Sequence, residues 1–260
     1  MGGTMVAAGA NGPAGALAEE RTFTVSELIQ ATPDVRIVRL VPADGRPFDF
    51  QAGQYARVGF AGLPARDFSI ASRPGEPHLE FHIRDAGQGT GAAHYAVRHL
   101  RPGERVVLSG PLGDATLKPE HRGPILAIAG GSGLAPVKSI VETALERGHA
   151  GPLHLYFGVR TARDLYLDGH FAALGQRHPN LSFVPVLSEP AGPGPWRTGH
   201  VGPAAVADFA DLSGFKAYLA GPPAMVEGTV PLLLEKGIAA VDIHADAFYT
   251  GNRTPQRTGR

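Results

Sequence analysis

The 260 residues carry no net formal charge at neutral pH, which gives neither the basic field that nucleic acid attracts nor an acidic, solvating composition, though local basic patches stay open. They contain no cysteine, which excludes disulfides, thiolate-held iron–sulfur clusters and structural cysteine–zinc sites. The length fits one large domain or two ordinary ones, and no apolar run reaches the ~20 residues of a membrane-spanning helix.

Residues 1–20 are mostly alanine and glycine, with no cationic start and no sustained apolar stretch, so they read as a disordered tail and not a signal peptide. The expected compartment is therefore the cytoplasm. From 21 to 118 short β-type runs are broken by glycine and proline, at 22–25, 35–41, 55–60, 67–71, 79–83 and 106–109. Short strands at this spacing predict an antiparallel barrel or sandwich. One helix interrupts them, with Thr90 as its expected N-cap.

In the strand RDFSIAS at 66–72, Arg66, Phe68 and Ser72 share one face by parity and Ser69 takes the other. The Arg66 guanidinium suits a phosphate through its fork of donors, while a plain polar edge strand would look the same. His78, Glu80 and His82 also share a strand face. They lack any recognised ligand spacing, and the expectation is an ordinary surface with no metal.

After a polar join at 118–122 the rhythm changes. Apolar strands at 125–129, 153–158, 181–187, 215–220 and 241–245 alternate with helical segments near 134–147, 165–176, 203–210 and 223–236. Unbroken apolar strands between helices predict βαβ units on a parallel sheet, hence a second domain over 119–249 of Rossmann-like type. Its first strand runs into GGSGLAP at 130–136 and a helix, an order that brings backbone N–H groups and a helix start close to a phosphate. Pro136 stands where a third glycine would be, which the first turn of a helix tolerates. A tight turn with no ligand would show the same residues. A second such turn, GPPAM at 221–225, follows the fourth strand, and two of them place a crevice at the strands' carboxyl ends.

The second strand ends in GVR at 158–160. Asp164 could bond a ribose hydroxyl or serve as N-cap of the next helix, while Arg160 and Arg163 could meet a 2′-phosphate. Residues 250–260 are polar and basic, and are expected to be a flexible tail.

Five motifs in this order, RDFSIAS at 66–72, GQGT at 87–90, GGSGLAP at 130–136, AGPPAM at 220–225 and DAF at 246–248, resemble the ferredoxin–NADP reductase superfamily over roughly residues 21–250. The nearest likeness is to flavin-containing reductase components of bacterial oxygenases and to NAD(P)H–flavin reductases, here without an iron–sulfur domain. The resemblance implies a flavin-binding barrel followed by a nicotinamide-binding domain. It further implies hydride transfer from NADH or NADPH to FAD, with FMN as the alternative, and onward transfer to a ferredoxin or oxygenase component. No nucleic acid or membrane span is implied.

Carried over position by position, Arg66 would bond a flavin phosphate, Phe68 would lie beside the ring system and Ser69 near its hydride-accepting nitrogen. His82, Ile83 and Arg84 would line the flavin through backbone groups, and Gly89 and Thr90 would hold phosphate. Gly131, Ser132, Gly133 and Pro136 would shape the pyrophosphate turn, and Gly221, Pro222 and Met225 would bound the nicotinamide. Phe248 would cover the flavin face, with Asp246 close by and Tyr249 as a competitor for the role. Ser69, Asp246 and Phe248 are the expected catalytic residues, and Arg160 and Asp164 the expected contacts to the far end of the dinucleotide. Ala220 departs from the cysteine of many relatives. That change, with Phe68 in place of tyrosine, leaves open a flavin-binding regulatory module without turnover, and a reductase of free flavin is the alternative among enzymes.

Overall fold

The computed structural model describes residues 20–87 and 89–249; the tails expected at the two ends lie outside them, apart from Glu20. Strands β1 (Arg21–Thr32), β2 (Val35–Pro42), β3 (Tyr55–Phe60), β4 (Arg66–Ser69), β5 (Leu79–Arg84) and β6 (Arg105–Leu112) form one antiparallel sheet in the order β4-β3-β6-β1-β2-β5. The outermost strands meet through a single bridge, Ile70 to Phe81, which closes the sheet on itself. Beyond Phe81 the outer edge of β5 has no strand partner among the described residues.

Alternation puts Phe23, Val25, Val38, Leu40, Val58, Phe60, Phe81, Val106 and Leu108 inside. Helix α1 (Gly91–Arg98) adds Ala92, Ala96 and Val97 to that core. β1 runs seven residues past the expected 22–25 stretch, because register shifts at Val25/Glu27 and Gln30/Thr32 break the period-two pattern that the sequence would otherwise display.

The second half is a parallel sheet of β7 (Ile125–Gly130), β8 (Leu153–Val159), β9 (Leu181–Leu187), β10 (Arg197–Thr198), β11 (Lys216–Gly221) and β12 (Ile243–Ala247), ordered β10-β9-β8-β7-β11-β12. Helices α2 (Leu134–Glu146), α3 (Asp168–Arg177), α4 (Val201–Ala207) and α5 (Pro223–Glu235) connect these strands. β7 is buried along its whole length, with Ile125, Ala127 and Ala129 in one core and Leu126 and Ile128 in the other. A central strand covered on both faces has no polar alternation to show. Strand order reverses beside β7, so the switch point lies between its carboxyl end and that of β11.

Two expected boundaries move. The third helix begins at Asp168 and not 165, because Leu165 is extended and Leu167 takes a φ of +58°. α4 begins at Val201, with Pro203 within its first turn. Every residue of α2 from Leu134 to Leu145 is buried, including Lys138 and Glu142. The helix lies between its own sheet and the barrel. Each large aliphatic side chain removed from water there contributes about 1.5–3 kcal/mol, but the two charges require partners. Among the described residues no helix is long and apolar enough to cross a membrane.

Candidate functional site

A cavity of about 520 Å³ opens at the carboxyl ends of the parallel strands, a volume in the range of cofactor pockets (~300–1,000 Å³). Gly130 and Gly131 at the end of β7, Gly158 to Arg160 at the end of β8, and Pro222 and Met225 after β11 form its walls. Thr32, Asp34, Val35 and Arg84 close it from the barrel side. Of the residues expected here, Gly131, Arg84, Arg160, Asp164, Pro222 and Met225 meet around this one space.

Two glycine turns build its floor. The chain leaves β7 into a 3-10 turn over Gly131–Gly133, with Gly131 at a φ of +55°. A Cβ on Gly133 would overlap the Ala220 carbonyl, and one on Gly130 would come within 2.5 Å of the Met225 sulfur. Gly221, at a φ of +151°, faces Gly130 at about the same closeness, 3.0 Å from its carbonyl oxygen to an added Cβ. The turns after β7 and β11 therefore pack directly on each other. Gly133 and Pro136 are buried in this packing and do not face the cavity. A glycine turn at positive φ lining the cavity, a helix start and close turn–turn packing that holds them in place fit the pyrophosphate of a dinucleotide.

At the far end the cations are already paired. Arg160 meets Glu189 at 3.0 Å, and Arg163 meets Asp34 at 3.5 Å. Asp164 is not the N-cap of α3. It is the third residue of a short 3-10 turn capped by Thr161, whose N–H and hydroxyl both donate to Asp164 Oδ2, at 3.1 and 2.8 Å. An Asx-type residue close to a helix start is easily mistaken for the cap of the longer helix, and Thr161 was the better reading.

The barrel contributes an open face. Ser69 is buried at the end of β4, directly opposite Tyr55 of β3, and its hydroxyl has no partner among the described residues. Arg66 is exposed and likewise unpaired among the described residues, whereas its neighbour Asp67 is bound by Arg57 at 2.9 Å. Phe68 is half-buried and packs edge-on against Phe60, at 6.2 Å, so its ring is part of the barrel wall.

Thr90 does precede α1, in extended geometry, but its side chain makes no cap bond. It stands between Gly89 and Gly91, both at positive φ, where added Cβ atoms would meet nothing within 4 Å. An unused hydroxyl, an open loop and a helix start free of acidic residues offer a donor set that fits a phosphate. Ile83 faces into the barrel core, and the His82 side chain is wholly buried, so these two residues can offer only backbone groups at the free edge of β5, while the exposed Arg84 side chain reaches the cavity.

Phe248 follows β12, next to the turn after β11. Its N–H donates to the Gly221 carbonyl at 2.9 Å and its side chain packs on the core beneath the β7 turn. Tyr249 is directed elsewhere, its hydroxyl donating to Glu227 at 3.0 Å. Asp246 lies in β12 opposite Ala220. Burial, together with the carboxylates of Asp114 and Asp67, pushes its carboxyl up to about 6. Burial and the same Asp67 and Asp246 raise Tyr55 above the ordinary phenol value.

Sequence reading missed this acidic group of Tyr55, Asp67 and Asp114, since three separate loops and strands supply it. It also missed a buried network. Glu80 accepts from His82 at 3.1 Å and from Arg39 at 2.8 Å, and meets Lys138 at 3.2 Å. Burial would raise the Glu80 carboxyl, but His82, Lys138 and Arg39 outweigh it and hold it well below the usual carboxylate range. Glu80 and His82 are thus a paired interior and not a surface, whereas His78 precedes β5, is partly exposed and lies 3.6 Å from Glu76. Lys138 and Glu142 at i,i+4 inside an otherwise apolar helix were the available clue.

The matching family is the oxidoreductase NAD-binding domain, over residues 127–230. The chain is similar to the ferredoxin–NAD(P)+ reductase component of naphthalene 1,2-dioxygenase/salicylate 5-hydroxylase systems from Ralstonia sp. Identity is 45% over 227 residues, covering 87% of this chain and 68% of that protein. It is 41% identical to the corresponding component of the naphthalene 1,2-dioxygenase system of Pseudomonas putida, over 88% of this chain and 69% of that one. Among solved structures, the Amycolatopsis cytochrome P450 reductase GcoB superimposes with a TM-score of 0.83 at 37% identity, over 88% of this chain and 70% of that one.

Proposed function

The chain belongs to the reductase components of bacterial oxygenase systems, of the ferredoxin–NAD(P)+ reductase type, and on that premise we propose how its own residues serve the transfer of electrons from NAD(P)H through a flavin to a ferredoxin or oxygenase component. Bound flavin, FAD in our reading, supplies the chemistry that no side chain here can: it takes a hydride and passes electrons on. The protein's part is to hold two ring systems against each other and to keep water away from them.

The observation that carries this reading is the meeting of the two glycine turns with the unpartnered edge of β5, bridged by Arg84, whose guanidinium lies 3.8 Å from where a Gly131 Cβ would be. Arg66, Gly89 and Thr90 would anchor the flavin phosphate, and backbone groups of His82, Ile83 and Arg84 its ring system, with Phe68 behind them. Gly131 and Ser132 would hold the pyrophosphate of the nucleotide. Gly133 and Pro136 would fix the shape of that turn, and Gly221, Pro222 and Met225 would bound the nicotinamide. The free hydroxyl of Ser69 would donate to the hydride-accepting nitrogen. Phe248 would shield the reacting face until a nicotinamide displaces it. Stacked rings gain only about 0.5–1.5 kcal/mol beyond burial, so such a cover is easily moved. Asp246, held largely protonated below about pH 6, would sit beside this face as a neutral neighbour at mildly acid pH.

We place the division between the barrel and the nucleotide domain at 118/119 and the protein in the cytoplasm. No cysteine is present, so a thiolate-held cluster has no ligands in these residues, and electrons leave the flavin toward an acceptor outside them. The test is an absorbance spectrum of the purified protein followed by anaerobic titration with NADH. A yellow protein bleached by about one equivalent supports the reading. A yellow protein that NADH leaves unchanged refutes turnover, and a colourless one that consumes NADH only with added flavin makes flavin the substrate.

A further inference from the structure

Resting on the reductase reading, we propose that Tyr166 and His82 form a positioning pair that holds the dinucleotide turn of the α/β domain in register with the flavin-facing edge of the barrel. The two rings meet edge to face at 5.3 Å, and the Tyr166 hydroxyl lies 3.1 Å from His82 Nδ1. Both are buried, and no polar atom of either is left for water to satisfy. Tyr166 also packs against Phe157 of β8, at 5.4 Å, and its hydroxyl is 3.4 Å from the carbonyl oxygen of Gly131. One side chain therefore touches both the flavin strand β5 and the turn that carries the nucleotide.

Hydrogen-bond accounting orients the pair. The Glu80 carboxylate accepts from His82 Nε2, so that nitrogen carries the proton and Nδ1 is left as an acceptor for the Tyr166 hydroxyl, whose single proton is shared in a three-centre bond between Nδ1 at 3.1 Å and the Gly131 carbonyl oxygen at 3.4 Å. Glu80 is itself pinned from two elements, by Arg39 of β2 at 2.8 Å and by Lys138 of α2 at 3.2 Å. Lys138 reaches back to the Ala71 carbonyl at 3.3 Å, and Ser139 donates to the Ser72 carbonyl at 2.7 Å. His82 thus stands on a fixed base shared by the two domains, and Tyr166 extends that base to Gly131. Hydride transfer needs reacting atoms at about 3–3.5 Å, and a misplacement of ~1 Å can cost a hundredfold in rate. A chain of hydrogen bonds among Glu80, His82, Lys138 and Tyr166, all buried, gives that precision, whereas the exposed pair Arg163–Asp34 at the rim does not.

Tyr166→Phe keeps the ring and removes the hydroxyl. In the flavin-loaded variant, anaerobic stopped-flow should show the limiting rate of flavin reduction by NADH falling at least tenfold. The half-saturating NADH concentration should change less than threefold, with reduction by dithionite unaltered. In the cofactor-free variant, amide hydrogen exchange at 131–133 and at 82–84 should quicken together. His82→Gln, which keeps a donor for Glu80 and an acceptor for Tyr166, should retain more of the rate than Tyr166→Phe. A limiting rate within twofold of wild type with unchanged exchange overturns the proposal. So does a loss of rate matched by an equal loss of affinity, which would make Tyr166 a wall of the nucleotide site only. Wild-type protein that NADH does not bleach would sink the reductase reading instead, and the exchange data would still decide the pair.

Discussion

Around Gly89 the backbone is open. An added side-chain carbon would touch nothing within 4 Å, and what calls for glycine is a φ of +70°. Around Gly133 the reverse holds: φ is an ordinary helical −60°, but an added carbon would overlap the carbonyl of Ala220. Both positions sit in glycine-bearing turns that lead into helices, yet one is glycine for conformation and the other for space. The barrel loop is therefore not fixed by packing at that glycine, while the turn after β7 is preformed by packing against the turn after β11. Preorganisation of that kind lowers the ordering cost of binding, which suits a nucleotide that must come and go.

The largest effect should come from testing that contrast. Gly133→Ala should prevent stable folding or cost upwards of 3 kcal/mol in denaturant titration, whereas Gly89→Ala should cost about 1–2 kcal/mol and weaken flavin retention in a folded protein. Equal losses would show that the two turns are not different in kind. Next, Ser69→Ala should slow flavin reduction by about ten- to a hundredfold, roughly 1.4–2.7 kcal/mol of barrier, as read by anaerobic stopped-flow. Arg66→Ala should weaken flavin binding by about tenfold or more, since a charge-assisted hydrogen bond is worth roughly 1.5–3 kcal/mol; full occupancy after dialysis would remove Arg66 from the phosphate site.

A smaller effect concerns Asp246. Its carboxyl titrates near 6 in the folded protein against 3.8 for a free side chain. Between those values the folded state keeps a proton that the unfolded chain has released, so stability falls as pH rises through that window and levels off above it. Asp246→Asn should flatten this decline, on the order of 1–2 kcal/mol after allowing for partial solvent contact, in thermal melts from pH 4 to 7. The smallest effect lies at the cavity's outer end. Because Arg160 is held by Glu189, NADH should be preferred over NADPH, and Glu189→Gln should shift kcat/KM toward NADPH by about two- to fivefold, the scale of an exposed charge. A wild-type preference for NADPH would mean that Arg160 leaves Glu189 for the 2′-phosphate.

Much of the site was legible because its parts are local. GGSGLAP follows an apolar strand and RDFSIAS breaks an alternation, and each of these is visible within seven residues. The parts that were not legible join distant segments. Tyr55, Asp67, Asp114 and Asp246 influence one another across four elements. His82, expected to contribute backbone alone, places its side chain against Tyr166, 84 positions later. The extension of β1 was hidden by bulges, and the true role of Asp164 by the choice between two helix starts only a few residues apart.

By itself the sequence determined the two-part architecture, the order of the strands' rhythm and the glycine turns, because hydrophobic period and backbone freedom are properties of neighbouring residues. Only the tertiary structure decided which buried charges are paired, which glycine is needed for room, and that Glu80, His82, Lys138 and Tyr166 join the two domains. Those depend on distances between segments far apart in the chain, which closure of the barrel and docking of α2 against it bring within hydrogen-bond range.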